Sequence, residues 1–316
     1  MFATVYNIVN IRRWQERRRR IQALSGPERR RILQCFSDDI RALLPAVARA
    51  TTVGDDDIDR AMKTIDIYSV VIGAWLALDP TNTDWPGRDR LFVSRRDDLI
   101  CACSALSSFG FFPAGQMPDL VEEAELHGSL TIIPGLEQPG VPGAEIPELV
   151  WESAQESARN KRRWRDHMEK ISQSAWVDSH WAAAPESWRT CIVLDSTDPI
   201  TLTCRNLPVC GGDAPAGLLA LIKAPDNLAD TIAEDWWNSG WDAMTLKHND
   251  PAQLYEVLAT THLHRPLAIV LTMDNAAGTT PYISKTFTLR RESGLLGEMS
   301  DEQFNAIIGQ SLELSD

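Results

Sequence analysis

The chain has 316 residues with 31 basic and 44 acidic side chains, a formal charge of −13, and it is 44% hydrophobic and 24% charged. That composition is ordinary for a folded protein and excludes a disordered polyelectrolyte, and the acidic balance argues against broad nucleic-acid binding, because phosphate contacts need clustered Lys and Arg. No window approaches the roughly 20 consecutive apolar residues of a membrane span, and six cysteines behind no secretory leader predict reduced thiols in the cytoplasm.

Residues 1–50 hold eleven Arg and four acids, densest at Arg17-Arg18-Arg19-Arg20. They read as an Arg-rich helical extension, residues 1–54, broken at Ser25-Gly26-Pro27. Such a run serves an acidic partner or nucleic acid, or is the solvated face of a helix, and the last is the commoner case. Residues 55–316 read as one α/β domain. Ile58, Met62, Ile65, Ile72 and Leu76 follow helical spacing behind an aspartate cluster that suits a helix N-terminus, and Asp79-Pro80 stops it. A polar loop, Thr81–Arg90, leads to a second helix from about Asp97 to Phe109, which Gly110 ends. Gly128–Pro147 is a loop rich in Pro and Gly, and a long charged helix follows over about Glu148–Ile171.

Beyond it lie three short apolar runs, Thr190–Leu194, Gly217–Ile222 and Pro266–Thr272, and a weaker fourth at Trp241–Lys247 between helices Leu228–Asn238 and Pro251–Thr261. Their continuous apolar character is that of strands buried on both faces. Strands alternating with helices predict a mainly parallel sheet with helices on both faces.

Several stretches in order resemble the N-terminal, diphosphate-binding part of transketolase. Leu78-Asp79-Pro80, Trp85, Arg88-Asp89-Arg90, Val93-Ser94, Ser104-Ala105-Leu106 and Gly110-Phe111-Phe112-Pro113 match the run from "DP…W…RDRFVLSKGH" to "AL…GFFP" without a gap. Leu126-His127-Gly128 and Pro134-Gly135-Leu136-Glu137 match "LQGHP…TPGVE", and Trp237–Asp242, Asn249-Asp250 and Arg265–Val270 match "FGW…GHD…RPTVII". The resemblance covers about residues 55–285 and implies a thiamine diphosphate-binding fold. It ends where the first domain of the family ends, so a separate subunit carrying the pyrimidine-binding and C-terminal domains, or a homodimer, is the implied partner.

The positions that hold the cofactor in that family contain other residues here. Its "GDGE" metal turn aligns on Asp195-Ser196-Thr197-Asp198, placing Ser196 at the metal aspartate, and the later metal asparagine falls on Pro225, with Asn227 close by. A hard cation such as Mg²⁺ needs carboxylate and carbonyl oxygens, so these types do not interchange freely. The "SKGH" histidine becomes Asp97, the "QGHP" histidine becomes Ser129, and the glycine-rich phosphate segment acquires Pro142 and Glu145. Acid beside a diphosphate is repulsive.

The expectation is therefore a transketolase-like subunit without its catalytic constellation, acting as a non-catalytic partner or ligand-binding derivative. No catalytic residue and no metal ligand is expected. Ser129, Ser196, Asp198 and Asn227 stand as degraded cofactor positions, and no bound cofactor is expected. The alternative is the N-terminal subunit of a split, thiamine diphosphate- and Mg²⁺-dependent transketolase moving a two-carbon ketol unit, with Asp195, Asp198 or Asn227 on the metal. A nucleic-acid role for Arg12–Arg31 is weaker. Cys101 and Cys103, two apart on a helix, are a poor chelate and read as core thiols. A metal site from Cys204, Cys210, His262 and His264 lacks the usual zinc spacing. Of eleven Trp, Trp241 reads as core and Trp176, Trp181 and Trp188 as core or interface.

Overall fold

A computed structural model describes residues 16–50, 54–80, 83, 87–117, 119–120, 133–137, 146–172, 188–209, 215–247, 250–261, 263 and 265–273. Within them, five strands form one all-parallel sheet: β1 (Arg90–Val93), β2 (Thr190–Asp195), β3 (Leu218–Ala224), β4 (Asp242–Lys247) and β5 (Leu267–Thr272), in the order β1-β2-β3-β5-β4. The helices are α1 (Gly26–Ala50), α2 (Asp55–Val70), which continues into a π turn over Val71–Trp75, α3 (Arg96–Ser108), α4 (Ile146–Ser172), α5 (Pro199–Arg205), α6 (Asp226–Asn238) and α7 (Pro251–Thr260).

Alternate strand residues point to opposite faces, and each face has its own core. Leu91, Val93, Cys191, Val193, Leu219, Leu221 and Ile269 pack beneath α1, α2, α3 and α7. Phe92, Ile192, Leu194, Ala220, Ile222 and Val270 pack with Val150 of α4, Cys204 of α5 and Trp236 of α6. The crossover from β3 to β4 uses α6 on one face, and the return step from β4 to β5 uses α7 on the other. Right-handed connections require that change of side when the chain reverses direction across a sheet.

Two elements differ from the sequence reading. Residues 90–93 form β1, where a polar loop up to Arg90 and no strand was expected. Four residues between Asp89 and Ser94 are too few to show a pattern, and pairing with β2 fixes them. The stretch after Asp198, which carries no helical pattern, begins with α5, because the Asp198 carboxylate accepts from the Ile200 N–H at 3.0 Å and Pro199 suits the first turn.

The Arg-rich N-terminal segment belongs to the same packing. Ile21, Ile32, Leu33, Phe36, Ile40 and Leu44 lie in one core with α2, α3 and α7. Arg17 donates to the carbonyls of Leu76 and Leu78, and Arg18 to that of Ala259. Arg29 donates to the carbonyls of Ile21 and Leu24 and lies 5.2 Å over the Tyr255 ring. The aliphatic stems cover apolar surface while the guanidiniums tie off helix ends, so these arginines are neither a free basic patch nor a fully solvated face.

Candidate functional site

At the carboxyl ends of the strands, α3 leaves β1 toward one face and α5 leaves β2 toward the other. In open α/β sheets such a divergence opens the crevice that takes ligands. Here it is a cleft of about 340 Å³, lined by Arg60 and Lys63 of α2, Arg95 and Asp97 at the start of α3, Asp195, Ser196 and Thr197 after β2, and Lys223 and Pro225 at the end of β3.

The floor of the cleft is an ion-pair network. Register places Asp195 beside Lys223 across β2 and β3. The Lys223 ammonium donates to both oxygens of Asp98 at 2.9 and 2.7 Å and lies 3.7 Å from Asp97 and 4.0 Å from Asp195. Arg95 donates to Asp97 at 2.9 Å and stands 3.9 Å from Asp195, and Arg60 pairs with Asp57 and approaches Asp97 at 3.9 Å. Burial opposes the charge of Lys223, but the carboxylates of Asp98 and Asp97 outweigh it and raise its pKa. Burial pushes the Asp98 carboxyl up to about 6 despite the pull of Lys223. Burial also acts on Asp195, but the N–H and hydroxyl of Thr197, with Lys223 and Arg95, hold its carboxyl below the usual range.

Of the residues singled out in the sequence, Ser196 lines the cleft and its N–H donates to the Lys223 carbonyl at 2.8 Å. Asp198 is committed to capping α5. Pro225 lines the cleft as the residue before α6, whereas Asn227 is exposed in the first turn of α6 and is not among the lining residues. Asp97 lines the cleft and is 1% exposed. Ser129, Pro142, Glu145, Trp176, Trp181, Cys210, His262 and His264 lie outside the described residues. Trp188 and Trp241 are buried.

Among the described residues no three His, Cys, Asp or Glu side chains are arranged to hold a metal ion. Cys101, Cys103 and Cys204 are buried free thiols whose pKa values burial raises, that of Cys103 to about 12. The sequence reading overlooked Lys223, Asp98, Arg60 and Lys63. Lys223 carried a usable signal: a lone cation near the end of a strand otherwise apolar over Leu218–Ala224 must find a buried counter-charge.

The residues that carry the family resemblance build the scaffold at the opposite, amino-terminal edge of the sheet. Asp89, fully buried, accepts from the Ala77 N–H at 2.8 Å and from the backbone and guanidinium of Arg189 at 2.7 and 2.8 Å. Arg189 in turn donates to the Trp75 carbonyl and stacks 3.9 Å from the Trp75 ring. Arg88 pairs with Glu137, so two separately matched stretches meet.

No protein-family model matches the sequence, and no curated protein matches it. Solved structures do match. A transketolase mutant from Pichia stipitis aligns with 90% of this chain and 45% of its own at a TM-score of 0.55 and 15% identity. The protein has a transketolase-like fold. Transketolase from Leishmania mexicana aligns at 0.54 and 13% identity, and that from Campylobacter jejuni at 0.53 and 15%, with 89% of this chain covered each time. The chain thus spans less than half the length of the transketolases it matches, 44% and 48% in the last two. The expected mainly parallel α/β architecture is present, with every strand pairing in the described sheet parallel.

No helix among the described residues is long and apolar enough to cross a membrane.

Proposed function

We propose that this protein is a transketolase-like subunit that does not use thiamine diphosphate and magnesium, and that it acts as a non-catalytic partner or ligand-binding derivative. The supporting observation is the Lys223 ammonium, bound by Asp98 and approached by Asp97 and Asp195 at the strand ends. Lys223 already engages Asp98, Asp97 and Asp195, so a divalent ion at the turn after β2 would have to displace the ammonium to use these carboxylates as ligands. Ser196 and Pro225 at the aligned metal positions add no carboxylate to compensate, and Asp195 already accepts from Thr197. The residues present therefore do not fit the magnesium diphosphate group, and no reaction step is assigned to it.

The open polar cleft keeps a ligand-binding role. The proposal includes a partner, either a separate transketolase-like chain or a second copy, in a cytoplasmic setting. Calorimetric titration of the protein with thiamine diphosphate and Mg²⁺ tests this reading. Absence of saturable binding is expected, and micromolar affinity would overturn it.

A further inference from the structure

Among the described residues that line the cleft, one buried acceptor has no hydrogen-bond partner. Asp97 is 1% exposed and its Oδ1 receives the Arg95 hydrogen bond, but its Oδ2 has no hydrogen-bond partner. Lys223 Nζ at 3.7 Å and Arg60 Nε at 3.9 Å are near that oxygen without bonding it. A buried carboxylate oxygen in this state calls for a donor, and Asp97 lines the cleft. With two cations already beside it, a neutral hydroxyl suits the position better than a third positive charge.

The remaining charge specifies the other end of the ligand. Arg60, Arg95 and Lys223 are each paired with aspartates among Asp57, Asp97, Asp98 and Asp195, whereas Lys63 lines the cleft with no ion pair among the described residues. Two helices begin at the cleft without a side-chain cap: α3 behind Arg95 and α6 behind Pro225. Their first turns already carry Asp97 and Asp98 in α3 and Asp226 in α6, which offset the partial positive charge of each N-terminus, so the uncommitted positive charge is that of Lys63. One uncommitted cation matches a monoanion better than a dianion.

We infer that the cleft binds a small hydroxylated carboxylate directly, with its carboxylate against Arg60, Lys63 and Arg95 and a hydroxyl donating to Asp97 Oδ2. The volume of about 340 Å³ stands at the small end for ligand pockets, as a compound of a few carbons requires. The inference rests on the reading that thiamine diphosphate and magnesium are not the ligands.

Calorimetry on the full chain in EDTA tests it, with glycerate as the probe, propionate as the same carboxylate without hydroxyls, and glycerol phosphate as a hydroxylated dianion. Glycerate is expected to bind saturably and propionate about ten-fold more weakly, because the Asp97 oxygen then stays unpaired. Lys63→Ala and Arg60→Ala, both at exposed positions, are each expected to weaken glycerate several-fold, Lys63→Ala without moving the ligand-free melting temperature. Asp97→Ala is expected to erase the difference between glycerate and propionate. If that variant does not fold, the propionate comparison on the unmodified protein and the two exposed variants still decide. No glycerate binding, equal binding of propionate, tighter binding of glycerol phosphate, or indifference to both exposed variants would each overturn the inference. A parallel titration with thiamine diphosphate and Mg²⁺ separates the failures: if neither it nor glycerate binds, this inference alone falls, whereas micromolar cofactor binding removes the reading beneath it.

Discussion

Lys223 and Asp98 form a fully engaged ion pair beneath the cleft, the ammonium donating to both carboxylate oxygens at 2.9 and 2.7 Å with the residues 3% and 0% exposed. Lys223 is the penultimate residue of the central strand and Asp98 lies in the first turn of the helix after the edge strand β1, so the pair ties these two elements together beneath the cleft.

Removing one partner leaves the other buried without its counter-charge. Lys223→Met is expected to destabilise the protein by about 3–5 kcal/mol, and adding Asp98→Asn to restore much of that loss. Urea unfolding of the two variants measures it. A loss below about 1 kcal/mol would mean that the pair is solvated and the cleft floor open.

The same pair sets a pH dependence. Asp98 titrates at about 6 in the folded protein against 3.8 for the ordinary side chain, so its contribution is fully present below 3.8 and is lost as pH rises through 6. Asp195 is shifted the other way and gives stability above the ordinary carboxylate range that is lost on acidification. The difference in unfolding free energy between the native protein and Asp98→Asn isolates the first effect. It is expected to turn against the native protein between pH 4 and pH 7, and a flat difference would contradict the assignment.

The N-terminal arginines separate by what they touch. Arg29 donates to the Ile21 and Leu24 carbonyls and covers Tyr255, and Arg29→Ala is expected to cost about 1–3 kcal/mol. Arg30 forms an exposed pair with Asp250 at 2.8 Å, and Arg30→Ala is expected to cost much less than Arg29→Ala, because solvent screens an exposed pair. Thermal unfolding compares them; equal small effects would return this segment to a solvated or partner-binding role.

The long signals in the sequence carried most of the fold. The apolar runs at 190–194, 217–222 and 266–272 are β2, β3 and β5, and the weaker run at 241–247 is β4. Helices α2, α3, α4, α6 and α7 were legible from periodicity and terminators. What stayed hidden depends on tertiary partners. β1 has only four residues, and it is a strand because Arg90–Val93 pair with Thr190–Val193. The site was half legible: Asp97 and Ser196 meet in one cleft, but Asn227 is exposed away from it while Pro225 lines it. The cationic side came from α2 and β3, elements that read as helix and core strand, because periodicity says which face a residue takes and not which distant charge it meets.

One buried glycine gives a separate test of the π turn that ends α2. A Cβ on Gly73 would stand 2.5 Å from Phe109 Cζ and 2.9 Å from Phe36 Cδ2, and these rings pack edge to face at 5.0 Å. Gly73→Ala is expected to destabilise by about 1–3 kcal/mol, with Phe109→Leu relieving part of the loss, as denaturant unfolding of the single and double variants would show. A neutral Gly73→Ala would mean that the turn is looser than described.

In the proposed function Lys223 holds the carboxylates at the strand ends that a metal-bound diphosphate would need. Calorimetric titration of the whole chain with thiamine diphosphate and Mg²⁺ tests it most directly. The account predicts no saturable binding; saturable micromolar binding by the unmodified protein would contradict it.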